Sequence, residues 1–354
     1  MTLIYFIFVL LLCIIIHELG HLLVAKLFNV YCHEFSIGMG KKLFEKKYKE
    51  TNYTIRMLPI GGFVAMAGDT ENALETSVNV EVPYHRTLNG IARWKKILIM
   101  LAGVVMNFIL SIIIVAIILL NQGAYAKPSP AVVDGVMENS VASEVGLLKG
   151  DIIKKLELSD GRIIKPETFD DILMFTSTNK DELIYTILRE GKELEFRLTP
   201  VLDETDGIYK VGVFMPKPEV VEVNVGNSII YSVDYLWTTT KAIVTSLSHL
   251  ITGKGLEQVS GPVGMYESAG TVVSMGIDTM VLFIALISLN LGVFNLLPIP
   301  VLDGGRILIT LIEMIFNKPI NKKIENAIMT ISVLLLLGLM IVVTFKDVIT
   351  IFWK

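Results

Sequence analysis

Four runs of apolar residues, 3–28, 97–120, 277–297 and 327–345, constrain this chain more than anything else in it. A helix needs about 20 mostly apolar residues to cross a bilayer. It also closes its backbone hydrogen bonds internally, which lipid requires. Each run is therefore read as a transmembrane helix. The first has no basic leading region and no small-residue cleavage site, so it is read as a retained span rather than a signal peptide. Charged residues make up only 19% of the chain and hydrophobic ones 53%, against roughly a quarter charged in soluble domains. That scarcity argues against a disordered chain and against an ordinary soluble enzyme. The net charge of −4 leaves no basic excess, so no nucleic-acid partner is expected. Cys13 and Cys32 are too few for a disulfide framework and fit no zinc knuckle.

Basic residues cluster in two connections. Lys41, Lys42, Lys46, Lys47, Lys49, Arg56, Arg86, Arg93, Lys95 and Lys96 lie between the first and second spans, and Arg306, Lys318, Lys322 and Lys323 between the third and fourth. Such connections face the cytoplasm. The insert 127–254 has an acidic excess and is placed outside. Within it, β-type runs at 132–136, 152–158, 183–189 and 195–200 are punctuated by Gly135, Gly150, Gly161 and Gly191. Residues 224–252 turn helical and amphipathic, and Asp234, Lys241 and His249 mark a helix lying at an interface. Four segments are expected: spans one and two (1–126), an external α+β domain (127–217), amphipathic interfacial helices (218–276), and spans three and four (277–354).

The first span contains His17-Glu18-Leu19-Gly20-His21. Residues four apart share a helix face, so both imidazoles can reach one metal, with Glu18 beside them to take a proton from an attacking water. Imidazole and carboxylate ligands with an open position point to zinc, Zn2+. A chance pentapeptide is the plain alternative. It is a poor one inside an apolar span, where unpartnered ionisable groups cost several kcal/mol. A proton or ion pathway is the stronger competitor.

Two histidines leave a metal short of a ligand. His33, Glu34 and Glu45 lie just beyond the first span and read as solvated loop residues; His85 and His249 have no partner pattern. Asp303 differs, because it closes Asn295-Leu-Leu-Pro298-Ile-Pro300-Val-Leu-Asp303-Gly304-Gly305 at the end of the third span. The prolines stop the helix there and the glycines allow a tight turn. A carboxylate on unwound backbone at membrane depth needs a partner. Service as third ligand supplies one, with capping of a following helix as the weaker reading.

His-Glu-x-x-His in one span and Asn-x-x-Pro-x-Pro-x-Leu-Asp-Gly after another resemble the site-2 protease family of intramembrane zinc metalloproteases, in its bacterial sigma-E-regulating branch. Segment 59–66 (Pro-Ile-Gly-Gly-Phe-Val-Ala-Met) is similar to the family's membrane-associated β-hairpin, and 260–264 (Ser-Gly-Pro-Val-Gly) to the segment entering the third span. Ala102-Gly103-Val104-Val-Met-Asn107-Phe108 resembles the second-span motif, with Val104 where a proline is usual. Residues 139–151 resemble the core of a PDZ domain. The resemblance covers nearly the whole chain. It implies a mainly α-helical polytopic membrane protein with four transmembrane helices, a membrane-associated β-hairpin and one inserted α+β PDZ domain, where some relatives carry two. Further, it implies zinc on His17, His21 and Asp303, Glu18 as general base, and Asn295 holding substrate backbone or the oxyanion. Arg306 stands where some relatives have His.

A zinc-dependent intramembrane endopeptidase is the expected activity. It would cut single-span membrane proteins of the anti-sigma-factor or remnant-signal-peptide type, some after a first cut by a site-1 protease. The expected place is the bacterial cytoplasmic membrane among its lipids, with the active site near the cytoplasmic side and the PDZ domain outside. A non-catalytic scaffold of the same fold would not need Glu18 and a full ligand set. A metal or ion transporter would scatter polar groups over several spans, whereas the second holds only Asn107 and Ser111.

Overall fold

The computed structural model describes residues 2–69, 81–203, 207–251 and 260–352. The chain divides into two compact units: residues 1–121 with 225–354, and residues 122–224. The first unit opens with α1 (Thr2–Leu27). Two long strands follow, β1 (Cys32–Tyr48) and β2 (Thr51–Met66), and then α2 (Arg93–Gln122).

The register of β1 on β2 changes along their length. Residues 42–48 pair with 51–56 around a tip at Lys49, whose φ is 54°. Residues 34–37 face 52–55 with both numbers rising together, and also face 62–65 with the numbers running oppositely. Residues 32–37 therefore lie between 51–56 and 62–66. The sequence places a turn at 59–62 with strands 53–57 and 62–66 paired across it. The structure instead puts the hairpin tip at 49–50 and uses 57–61 as a crossing. Two causes are local: Pro59 has no N–H for a ladder, and Gly38 and Gly61 take φ of 83° and 82°, where a side chain is disfavoured. At Gly38 a Cβ would also crowd the Leu58 carbonyl oxygen.

Glu34 is another departure from expectation. It is 2% exposed, with Oε1 2.8 Å from Arg56 Nη2 and 2.6 Å from the Thr54 hydroxyl, and with Lys42 Nζ 3.3 Å from Oε2. Burial pushes this carboxyl up, but the hydrogen bonds from Thr54 and Arg56 and the charges of Arg56 and Lys42 outweigh it and hold it below the usual carboxylate range. A strand residue takes the place of the expected loop residue. Glu45 is half-exposed and pairs with Lys42, and His33 packs edge-on against Tyr31.

The second unit begins with β3 (Ala124–Ala126), β4 (Gly135–Val136), α3 (Val141–Glu144), β5 (Ile152–Leu158) and β6 (Ile163–Ile164). It continues with α4 (Phe169–Ser177), β7 (Leu183–Arg189), β8 (Lys192–Leu198), β9 (Val201–Asp203), β10 (Ile208–Lys210), β11 (Val213–Phe214) and β12 (Val220–Glu222). A four-stranded antiparallel sheet in the order β6-β5-β7-β8 carries the core. Ile153, Leu156, Leu183, Tyr185 and Ile187 point from it toward Phe169, Ile172 and Phe175 of α4. Tyr185 reaches the Thr176 hydroxyl at 2.8 Å, so its buried phenol is satisfied. Thr168 and Asp171 form a capping box that starts α4. The pairing of β3 with β12 clamps the chain where it enters and leaves.

The first unit resumes with α5 (Ser228–Ile251), α6 (Pro262–Met275), α7 (Ile277–Asn295), α8 (Asp303–Phe316) and α9 (Lys322–Phe352). The side chain of His249 lies outside the described residues. Among the described residues, four helices are long and apolar enough to cross a membrane: α1, α2, α7 and α9. Hydroxyls stitch them together where apolar contact with lipid gives no preference for helix over helix. Ser111 donates to the Ala285 carbonyl at 2.8 Å, Ser288 to the Asn107 carbonyl at 3.0 Å, and Tyr5 to the Met280 carbonyl at 2.6 Å. Asp347, near the end of α9, is buried and accepts from the N–H groups of Gly261 and Gly264 at 2.8 Å each. It thereby caps α6. A side chain at Gly261 would come within 2.9 Å of that carboxylate, which explains the small residues in this segment.

Candidate metal centre

One turn of α1 sets His17 above His21, and both rings are buried, at 7% and 6% exposure. Small residues let α2 come close. A Cβ at Gly20 would strike the Ala102 carbonyl, and one at Gly103 would lie 2.8 Å from His17 Cε1. From the other side, α7 ends at Asn295, where Pro298 and Pro300 follow. The chain then turns so tightly that Cβ atoms at Gly304 and Gly305 would overlap the carbonyls of Leu296 and Ile299. This turn delivers Asp303, the first residue of α8, to the histidine pair. Asp303 thus both opens a helix and reaches the site.

His21 Nδ1 lies 2.7 Å from the Ile99 carbonyl oxygen. A carbonyl only accepts, so Nδ1 carries the proton and Nε2 presents a lone pair. His21 Nε2 is 3.2 Å from His17 Nε2, and Asp303 Oδ2 is 3.1 Å and 3.3 Å from those two nitrogens. Oδ2 is buried, yet among the described residues it receives no hydrogen bond. Two imidazole nitrogens and a carboxylate oxygen held together in this way suit a cation. The spacing fits zinc: four ligands placed tetrahedrally at 2.0–2.1 Å stand about 3.3 Å apart. Among the described residues this is the group of His, Cys, Asp and Glu side chains close enough to hold one ion.

Asn295 Nδ2 approaches His17 Nε2 at 3.4 Å. Glu18 faces the same cavity, of about 290 Å³, and its carboxylate accepts from the Val64 N–H. All five expected side chains, His17, Glu18, His21, Asn295 and Asp303, line this cavity.

Other residues border the cavity or the histidines. Segment 62–66 is an edge of the β1–β2 sheet and borders the cavity through Gly62, Phe63, Val64 and Met66. A Cβ at Gly62 would be 3.7 Å from Glu18 Cγ. Arg306 reaches Asp69 at 2.8 Å, and both line the cavity. Asn107, fully buried on α2, has Nδ2 3.4 Å from His17 Nδ1. Its visible signals were a polar side chain in an apolar span and a place in the segment that resembles the family's second-span motif.

Residues 5–339 match the family model Peptidase family M50. The chain is 38% identical over 342 residues to CPE1693 of Clostridium perfringens, with 95% of each chain covered. It is 33% identical to RasP, named a regulator of sigma-W protease, of Bacillus subtilis, with 94% of each covered. The identity to the zinc metalloprotease RasP of Bacillus licheniformis is also 33%, over 94% of this chain and 95% of that one. Among solved structures, the PDZ domain of the SdrC-like protein of Listeria monocytogenes aligns with 26% of this chain and 92% of its own, at 16% identity and a TM-score of 0.21.

Proposed function

This chain belongs to peptidase family M50, and on that premise we propose that it cuts single-span membrane proteins within the bilayer, with zinc held by His17, His21 and Asp303. It is a zinc metalloprotease, and among its described residues four helices are long and apolar enough to cross a membrane. The reading of the site rests on one observation: two Nε2 atoms and a buried carboxylate oxygen meet at 3.1–3.3 Å beside Glu18.

When bound, zinc supplies a Lewis acid for the scissile carbonyl and the attacking water. Glu18 takes a proton from that water and passes it to the departing amine, so one water is consumed and an acid and an amine are released. The Asn295 amide, 3.4 Å from His17 Nε2, donates to the oxyanion or the substrate backbone. A helix in lipid hides its peptide bonds, and unwinding it exposes groups costing several kcal/mol each. The sheet edge at 62–66, which borders the cavity, re-satisfies them by pairing with the unwound segment.

Basic connections favour a centre toward the cytoplasmic face and an insert that lies outside. The exposed apolar side chains of Leu43, Phe44, Ile55 and Met57, among several lysines, suit a membrane surface. Anti-sigma factors shortened by an earlier protease are the favoured substrates, in keeping with the name of the sigma-W relative. Remnant signal peptides are the second class. The 122–224 unit, read as a PDZ domain from its motif, either binds the new C-terminus or excludes bulky ectodomains. Purified protein in liposomes with a tagged single-span substrate tests the reading. Product termini should map inside the span and vanish with a chelator; cleavage only outside the span would overturn it.

A further inference from the structure

The outer nitrogens of both histidines face one stripe of α2. Ile99, Gly103 and Asn107 recur every fourth residue and so share a helix face. Ile99 offers its carbonyl to His21 Nδ1, Gly103 leaves room for the rings, and Asn107 meets His17 Nδ1. The first contact sets the His21 tautomer. The second, with the amide nitrogen toward the ring, does the reverse for His17: Nδ1 becomes an acceptor and the ring proton falls on Nε2, where a ligand lone pair is needed. That orientation also leaves Asn107 Oδ1 buried with no hydrogen-bond partner. The two ends of an amide have the same shape, and their assignment follows from the bonds each must make.

We propose that Asn107 is a positioning residue of the metal site, with its amide turned so that Oδ1 accepts the His17 Nδ1–H. The buried oxygen then gains its donor, Nδ1 keeps the proton, and Nε2 of His17 presents a lone pair alongside that of His21. The base of the side chain is firmly held, because the Asn107 backbone carbonyl accepts from Ser288 at 3.0 Å. One helix thereby sets both tautomers, through a main-chain oxygen at position 99 and a side-chain oxygen two turns later. Outer partners of this kind fix ring orientation and raise ligand basicity.

The inference rests on zinc binding by His17, and its test separates the two. Zinc affinity is measured by chelator competition on the full chain in detergent, for wild type, His17→Ala, Asn107→Ala and Asn107→Asp. Loss of an outer partner weakens metal binding about 10- to 100-fold, which is the drop expected for Asn107→Ala. A carboxylate in place of the amide is an acceptor only, so Asn107→Asp should bind zinc as tightly as wild type or tighter. An equal drop in both variants, or none in either, overturns the proposal. Should Asn107→Ala not fold, Asn107→Asp decides alone: a loss of affinity or of folding there counts against an acceptor at this position. If instead His17→Ala binds zinc like wild type, the ligand assignment itself is wrong.

Discussion

Gly103→Ala is the mildest change that reaches the centre of the site. The added methyl would lie 2.5 Å from His21 Nε2, 2.7 Å from His21 Cε1 and 2.8 Å from His17 Cε1. Carbon atoms in contact prefer about 3.5 Å, so the two histidine rings, His21 most of all, or the α2 backbone must yield by about 0.8 Å. Metal–ligand distances tolerate only about 0.2 Å. Overpacking of one methyl costs about 1–3 kcal/mol. Drawn from metal binding, that is about a 5- to 150-fold loss of zinc affinity. Chelator competition on detergent-purified protein reads it directly. Gly338→Ala is the control, since nothing lies within 4 Å of a Cβ there. Unchanged zinc affinity and cleavage in Gly103→Ala would refute the close packing of α2 on the histidine pair.

Three further outcomes are expected. Asp303→Ala should lower the zinc content of purified protein, and unchanged stoichiometry by elemental analysis would remove Asp303 from the site. Glu34→Gln removes the carboxylate from the buried Glu34–Arg56 pair, at a cost of about 3–5 kcal/mol, visible as a lower melting temperature at neutral pH. Because the folded Glu34 pKa lies below the ordinary value of about 4.3, its stabilisation is full above that value and fades as pH falls through the folded pKa. The gap between wild type and variant should therefore narrow in acid; a constant gap contradicts the assigned cause. Asp347→Leu strips two N–H groups of their acceptor and should destabilise the fold by on the order of 3 kcal/mol, measured by thermal unfolding in detergent. No change would show that the cap contributes little.

The spans and the donor set were legible because lipid leaves few choices. A helix is forced by backbone hydrogen bonding, and a histidine or carboxylate inside it stands out against its neighbours. The sheet was harder. Pro59, Gly61 and Gly62 read as a turn, whereas the chain crosses there and turns at Lys49, because pairing with the distant segment 32–37 decides the register. Glu34 read as a loop residue because its partners, Thr54 and Arg56, lie about twenty positions on. Asn107 carried a weak signal, a polar side chain in an apolar span, but its partner His17 is ninety positions away. Asp347 fell beyond the expected end of the fourth span, and its role depends on α6 packing beside α9.

Glu18 supports the central claim, since without a group to carry the proton from water to amine the bound metal has no complete hydrolytic cycle. The direct measurement is co-expression of a tagged single-span substrate with wild type or with Glu18→Gln, followed by blotting for the shortened fragment. The fragment should form with wild type and be absent with Glu18→Gln, while both proteins retain zinc. Equal cleavage by the two would contradict a hydrolytic role for this site.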